Sequence, residues 1–338
     1  MVPRKKTAAA GNIIKGVSFV LIFTVILSAL SNFFLPGSSS IFYDDIKSSP
    51  ARGFYGETKN SLDVIAIGNS NIESSFSPME LWKQYGVTGY TCGEPFQNIF
   101  QAYNMLTEVL TCQKPKVVIL DVDGVFPPNN QTDTFYQFLD SKLNHVFPLF
   151  EYHDLWKLMF RSKTAKASLL QPNPSKGYLY SRADVPFSGR RPHAGYNAVV
   201  DQIINQTLDE FDCLCKENNI QLVLVYVPTA YSWNLERHDW MEEYATTHSL
   251  PFLDLNSYPN RFQIDWKNDT RDGGTHLNFS GAKRVTLYLG DYLHQHYTLP
   301  DHRADPAFSQ WDRSYEAYLK MATPKPAVKL SKSIRQKG

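Results

Sequence analysis

Three residues that lie far apart in the chain have the types needed for acyl chemistry: Ser70, Asp272 and His276. A serine hydroxyl becomes a nucleophile when a base within hydrogen-bond reach takes its proton and a third group orients that base. Ser70 stands in Gly68-Asn69-Ser70-Asn71, directly after the apolar run Val64-Ile65-Ala66-Ile67. His276 stands in Asp272-Gly273-Gly274-Thr275-His276-Leu277-Asn278, a glycine-containing loop from which an imidazole can project. Asp272, four residues earlier, is close enough to bond the ring and fix its tautomer. Asp269 is a second candidate for that role. Gly/Asn/Ser clusters are also ordinary turns, so the Asp/His block is what gives the serine block its weight.

Such groups need elements to hold them. Residues 63–67 have the composition of a buried strand. Ser77 and Pro78 suit the start of a helix over 78–85. Val87 to Thr91 reads as a short strand ending at Cys92-Gly93, and 97–112 as a helix with Ile99, Tyr103, Leu106 and Leu110 at helical spacing. Lys114-Pro115-Lys116 ends it, and Val117 to Val122 is another buried strand. Further on, a helix over 195–217, a strand over 220–227, a helix over 235–248, a strand over 252–255 and a helix over 279–296 continue the alternation. That rhythm predicts an α/β fold, a three-layer α/β/α sandwich with a mostly parallel sheet. Sites in such sheets lie beyond the carboxyl ends of the strands, where Ser70 is expected.

Residues 123–192 break the rhythm. They hold Pro127-Pro128-Asn129-Asn130, the aromatics Phe147, Phe150, Tyr152 and Trp156, and Gly189-Arg190-Arg191-Pro192. This reads as an insertion with short helices, either a substrate surface or a decoration over a sheet edge.

Residues 1–15 carry Arg4, Lys5, Lys6 and Lys15 and no acid, and Gly16 to Leu35 carries no charge. About twenty such residues span a bilayer core. The basic flank predicts a cytoplasmic N-terminus (1–15), a transmembrane anchor (16–36) and an extracytoplasmic remainder, single-pass in the cell membrane. The rival is a cleaved signal peptide, against which the length of the apolar run counts. A tether over 37–61, a domain over 62–320 and a disordered basic tail over 321–338 complete the plan. The net charge of +1 gives no field to attract nucleic acid. Cys92, Cys112, Cys213 and Cys215 lack metal-site spacing and read as buried free thiols. No metal and no cofactor is expected.

The two blocks resemble those of the SGNH (GDSL-type) hydrolase superfamily. There the serine follows the first strand in a G-D-S block, and Asp and His share a D-x-x-H block before the last helix. Gly68-Asn69-Ser70 matches the first block with Asn in place of Asp. Asp272 to His276 matches the second with a spacing of four rather than three. The resemblance implies a flavodoxin-like sheet, Ser70 as nucleophile, His276 as base and Asp272 as orienter. It also implies oxyanion donors: the Ser70 amide, Gly93 in the position of the family's Gly block, and Gln97 as a substitute where no G-x-N-D block is found near Asp121-Val122-Asp123-Gly124. The likeness runs from about residue 60 to 320. It is closest to membrane-anchored bacterial proteins that act beside polysaccharide O-acetylation or teichoic acid D-alanylation machinery. The expected function is therefore an extracytoplasmic serine esterase or acyltransferase, with a cell-surface glycan or acyl ester as substrate and a membrane-bound acyltransferase as partner. The competing expectation is an SGNH-shaped surface binding or accessory protein without activity.

Overall fold

The computed structural model describes residues 4–31, 49–126, 131–152, 174–187, 189, 200–257 and 263–323. Its centre is a five-stranded sheet, every neighbouring pair of which is parallel. The strands are β1 (Val64–Gly68), β2 (Gly89–Gly93), β3 (Val117–Asp121), β4 (Gln221–Tyr226) and β5 (Phe252–Asp254), in the order β2-β1-β3-β4-β5. This is the flavodoxin-like order, and its switch point lies between β1 and β3.

Alternation along the strands feeds two separate cores. Ile65, Ile67, Val118, Leu120, Leu222 and Leu224 face one cluster, and Val64, Ala66, Val117, Ile119, Val223 and Val225 face the other. The first is covered by α4 (Ile99–Leu110), α7 (Gln202–Glu217) and α8 (Leu235–His248). The second is covered by α2 (Ser70–Ser75) and α9 (Phe279–His296), with Leu81 from α3 (Pro78–Tyr85). Burying a Val, Leu or Ile side chain contributes about 1.5–3 kcal/mol, so both faces hold the central strands in register. The three-layer sandwich is thus observed, with an all-parallel sheet. The ranges expected for α3, α8 and α9 match the observed ones.

Several elements differ from expectation. Helix α2 begins at Ser70, where a turn was expected, because Asn69 accepts a hydrogen bond from Asn71 N at 2.8 Å and caps it. The expected tether is folded from Pro50 onward: Pro50–Gly56 forms a 3-10 turn with Ala51, Arg52, Phe54 and Tyr55 buried. Arg52 anchors that turn by donating to Glu108 (3.0 Å) and Glu151 (3.2 Å) and by pairing with Glu94. Residues 37–48 lie outside the described residues.

The expected insertion contains a full layer helix, α5 (Gln131–Val146), followed by α6 (Pro148–Tyr152). Phe138 of α5 packs on Phe100 at 5.5 Å, and Asn104 donates to Ser141 O at 2.9 Å. Residues 127–130, Trp156, 190–192 and 195–199 lie outside the described residues. A terminal helix α10 (Ser309–Ala322), unassigned from sequence, packs Trp311 on Trp82 at 5.4 Å. It extends two residues into the expected tail, whose residues 324–338 lie outside the description. The N-terminal helix α1 (Arg4–Ser31) includes an apolar stretch, Gly11–Ser31, long enough to cross a membrane or to serve as a signal sequence. Of the four cysteines, which form no disulfide, Cys92 and Cys215 are buried, Cys112 is half-buried and Cys213 is exposed, so the expectation of buried thiols is corrected for the last two.

Candidate active site

Ser70 sits at the carboxyl end of β1, with β2 on one side and β3 on the other. It is the first residue of α2, so its amide N–H has no acceptor within the helix. Two glycines let the chain turn here. A Cβ on Gly68 would stand 2.6 Å from Asp121 Cβ, and one on Gly93 would stand 2.6 Å from Glu73 Cβ and 2.9 Å from Glu73 N. Glu94 N donates to Gly68 O across the β1–β2 ladder. Amides alternate along a parallel strand, so the N–H of Gly93 faces the open edge of β2.

The loop from Thr270 to Leu277 is closed by an antiparallel bridge between those two residues and by Arg271 N donating to His276 O at 3.1 Å. Gly273 and Gly274 adopt φ of 82° and 110°, a left-handed path that L side chains rarely follow. That path explains the spacing of four: the additional residue is taken up in the glycine turn. Asp272 Oδ1 accepts the His276 amide at 2.9 Å and Asp272 Oδ2 faces His276 Nδ1 at 2.5 Å. His276 Nε2 faces Ser70 Oγ at 2.8 Å. Burial pushes the Asp272 carboxyl up. Its hydrogen bonds with the His276 ring and amide, and the charges of His276 and Arg271, outweigh burial and hold it below the usual carboxylate value.

Asp269 does not reach the ring. It is fully buried, accepts Asp265 N at 2.9 Å and lies 3.5 Å from Arg284 Nε. Gln97 is also buried, and among the described residues, Ser70 and His276 included, neither atom of its side-chain amide has a hydrogen-bond partner.

Asp123 lies two residues past the end of β3, in the 3-10 turn Val122–Val125, where the resemblance would put an asparagine block. Its Oδ2 accepts from Asn69 Nδ2 (2.7 Å) and Asn71 Nδ2 (3.2 Å), and its Oδ1 from Tyr226 OH (3.1 Å), with Arg237 Nη1 at 3.5 Å. The departure Asn69 therefore has a partner: an acid at 69 would press against the Asp123 carboxylate, whereas an amide donates to it.

The solved structures to which the chain is similar include GDSL-like lipases and acylhydrolases. A Bacteroides fragilis protein assigned as an acylhydrolase matches at 15% identity and a TM-score of 0.40, covering 72% of this chain and 94% of that one. A GDSL-like lipase from Bacteroides thetaiotaomicron matches at 13% identity and a TM-score of 0.38, covering 74% and 98%. A lipase/acylhydrolase from Enterococcus faecalis matches at 13% identity and a TM-score of 0.31, covering 71% and 99%. No family model and no curated protein matches the sequence.

The site has two further parts that sequence patterns did not mark. The first is a strap over 175–187, an irregular segment within the expected insertion. Thr91 N donates to Lys176 O, Leu179 N to Glu73 O, Gly273 N to Val185 O and Phe187 N to Trp266 O. Thr270 Oγ1 adds a bond to Val185 O at 2.6 Å. The strap thereby ties the edge of β2 and α2 to the loop that carries His276. It lacks helical or strand periodicity, so only the tyrosines Tyr178 and Tyr180 hinted at burial. The second is a pair of charged residues: Glu73, one turn after Ser70, and Arg271, next to Asp272. Burial pushes the Glu73 carboxyl up to about 7, with Arg271 opposing and Glu94 reinforcing the shift.

A cavity of about 190 Å³ lined by Arg52, Glu94, Glu108, Ser141, Glu151 and Tyr152, among others, lies between α4, α5 and α6. None of Ser70, Asp272 and His276 lines it. Tyr152, one of the insertion's aromatics for which a substrate surface and a decoration were both open, is buried and donates to Glu108 at 2.9 Å.

Proposed function

We propose that this protein is a serine-dependent esterase or acyltransferase of SGNH type. The observation that supports it is the contact chain Ser70 Oγ–His276 Nε2–Nδ1–Asp272 Oδ2 at 2.8 and 2.5 Å, set at the sheet's switch point. Ser70 Oγ attacks the ester carbonyl while His276 Nε2 takes its proton. The tetrahedral oxyanion is met by the Ser70 N–H, with the unsatisfied Gln97 amide as a further donor; the Gly93 N–H, which faces away from β1, is not among them, contrary to the expectation from the resemblance. The C–O bond then breaks, His276 returns the proton to the leaving oxygen, and an acyl-Ser70 remains. Water or a second hydroxyl attacks that ester, His276 again takes and returns the proton, and Ser70 is regenerated. Asp272 holds the ring in the tautomer whose Nε2 accepts.

In this reading Gly11–Ser31 is an uncleaved anchor and the domain is extracytoplasmic. The acyl group is O-acetyl, and the acceptor is a hydroxyl of cell-surface polysaccharide or water, with a membrane-bound acyltransferase supplying the acyl chain. Support for these finer statements is the apolar helix and its basic flank, together with the resemblance of the two motif blocks.

Purified full-length protein should hydrolyse an aryl acetate and should form a fluorophosphonate adduct on Ser70, located by peptide mass spectrometry. Ser70→Ala should abolish both. Turnover that survives Ser70→Ala would end the proposal. An unlabelled Ser70 together with no turnover would leave the inactive binding protein as the better account.

A further inference from the structure

We propose that Arg271 binds an anionic group of the substrate, a carboxylate or a phosphate, beside Ser70. This deepens the esterase reading and rests on it for the identity of the reacting ester. Arg271 is fixed in the loop that carries His276 by the hydrogen bond its backbone N–H donates to His276 O. Its side chain is only 16% exposed, yet its Nε lies 3.7 Å from Asp272 Oδ2, beyond hydrogen-bond reach. Among the described residues its guanidinium makes no hydrogen bond. The other buried arginines are engaged. Arg52 is held by Glu94, Glu108 and Glu151, and Arg237 donates to Ser232 O at 2.9 Å and meets Tyr226 and Asp123. A mostly buried guanidinium with its donors unmatched is costly unless a ligand or water meets it.

Its surroundings share that incompleteness. Tyr178, on the strap, is 2% exposed and its hydroxyl has no hydrogen-bond partner among the described residues. Glu73, on α2, is buried, and its carboxyl has no hydrogen bond among the described residues. Leu179 N to Glu73 O at 2.8 Å ties these two elements together, and the charge of Arg271 acts on both side chains. Three elements meet here, the Ser70 helix, the strap and the His276 loop, and each contributes a polar side chain that makes no hydrogen bond among the described residues. Two carboxyls oppose an anion here: Asp272, whose two oxygens are already taken up by the His276 ring and amide, and Glu73, whose burial favours its neutral form. An arginine fork fits two oxygens of one carboxylate or phosphate. Such an anion would hold an acyl ester against Ser70 by a group remote from the reacting carbonyl.

The test uses the full-length chain in detergent and three matched acetate esters: neutral 4-acetoxybenzamide, 4-acetoxybenzoate and 4-acetoxyphenyl phosphate. The wild type should show kcat/KM for one or both anionic esters about 10–100-fold above the neutral one, and which arm gains more identifies the anion. Arg271→Gln should collapse that ratio, and Arg271→Lys should restore only part of it. In parallel, calorimetric titration of Ser70→Ala protein with inorganic phosphate and with acetate should detect binding of at least one anion that Arg271→Gln removes. A ratio near one in the wild type, or a ratio unchanged by Arg271→Gln, overturns the proposal and leaves Arg271 as a positioning residue for Asp272. Anion binding that depends on Arg271 in a protein with no turnover and no fluorophosphonate label retains the anion site and rejects the esterase. Anion binding indifferent to Arg271 rejects the anion site whatever the enzyme does.

Discussion

Replacing Asp272 by Asn is the sharpest probe of the proposed triad, because it changes little shape and reverses one hydrogen bond. In the native site the carboxylate accepts from His276 Nδ1 at 2.5 Å, and its other oxygen accepts the His276 amide at 2.9 Å. Asparagine can keep the second bond through its carbonyl oxygen. It must then turn its NH2 toward Nδ1, which forces the proton onto Nε2, the atom that has to accept from Ser70. The variant also removes the negative charge that stabilises the imidazolium formed during attack. The Asp272 side chain is 37% exposed, so an effective dielectric constant of about 40 is appropriate, and at about 2.5 Å that charge contributes about 3 kcal/mol. This corresponds to about 10²–10³-fold in kcat, less than the about 10⁴-fold loss at a fully buried orienting aspartate. Steady-state hydrolysis of an aryl acetate measures it directly. Asp272→Ala, which frees the tautomer, should be no worse than Asp272→Asn, and Asp269→Asn should cost far less than either. If Asp272→Asn keeps more than half of the wild-type kcat, or Asp269→Asn costs as much, the assignment of the orienter is refuted.

Other expected outcomes follow from the same contacts. Asn69→Asp should lower stability by about 1–3 kcal/mol by setting a second carboxylate against Asp123, and adding Asp123→Asn should recover most of it in a double-mutant cycle read by urea unfolding. Glu73 is raised above its unfolded value of 4.5 to about 7, so its contribution is fully present below about pH 4.5 and is lost as pH rises through about 7. Unfolding free energies at pH 5.5 and 8.5 should therefore differ by about 1 kcal/mol more in the wild type than in Glu73→Gln, about half of the unscreened linkage value because solvent screens the site. Gly93→Ala should destabilise by about 2–4 kcal/mol, because its methyl would meet the Glu73 backbone; a change under 0.5 kcal/mol in denaturant titration would contradict that packing.

How much of this was legible in the chain depended on whether a feature is written locally. The central strands β1, β3 and β4 are, because each is a short apolar run that the sheet buries on both faces, and helices α3, α8 and α9 carry their own start and stop signals. Ser70 and the Asp272–His276 block are local as well, since a loop after a strand and a loop before a helix are marked by glycine and asparagine. What the sequence could not separate is two uses of one chemistry. Asn69 in a Gly-Asn-Ser-Asn cluster is a turn former and also a helix cap, and only the tertiary setting of Ser70 to Ser75 against Gly93 selects the cap. Asp269 and Asp272 both lie within a few residues of His276 in sequence, and the choice between them is made by the left-handed turn at Gly273 and Gly274, which aims one carboxylate at the ring while the other is buried against Asp265 and Arg284.

The features that stayed hidden are those whose meaning lies in distant partners. Arg52 in a Ser/Gly-rich stretch looks like a solvated tether charge until Glu94, Glu108 and Glu151 from two other helices and a loop close on it. The strap over 175–187 has no period to detect, because each of its bonds goes to a different element. The same reasoning explains Asn69. Read alone it is a departure from a G-D-S block, a sign of lost function. Set against Asp123 it is half of an exchange, an amide at one strand end for an acid at the next, that leaves one carboxylate between them. The departure therefore says nothing against Ser70 as nucleophile, whose own contacts run through His276 and Asp272 and do not pass through Asn69's side chain.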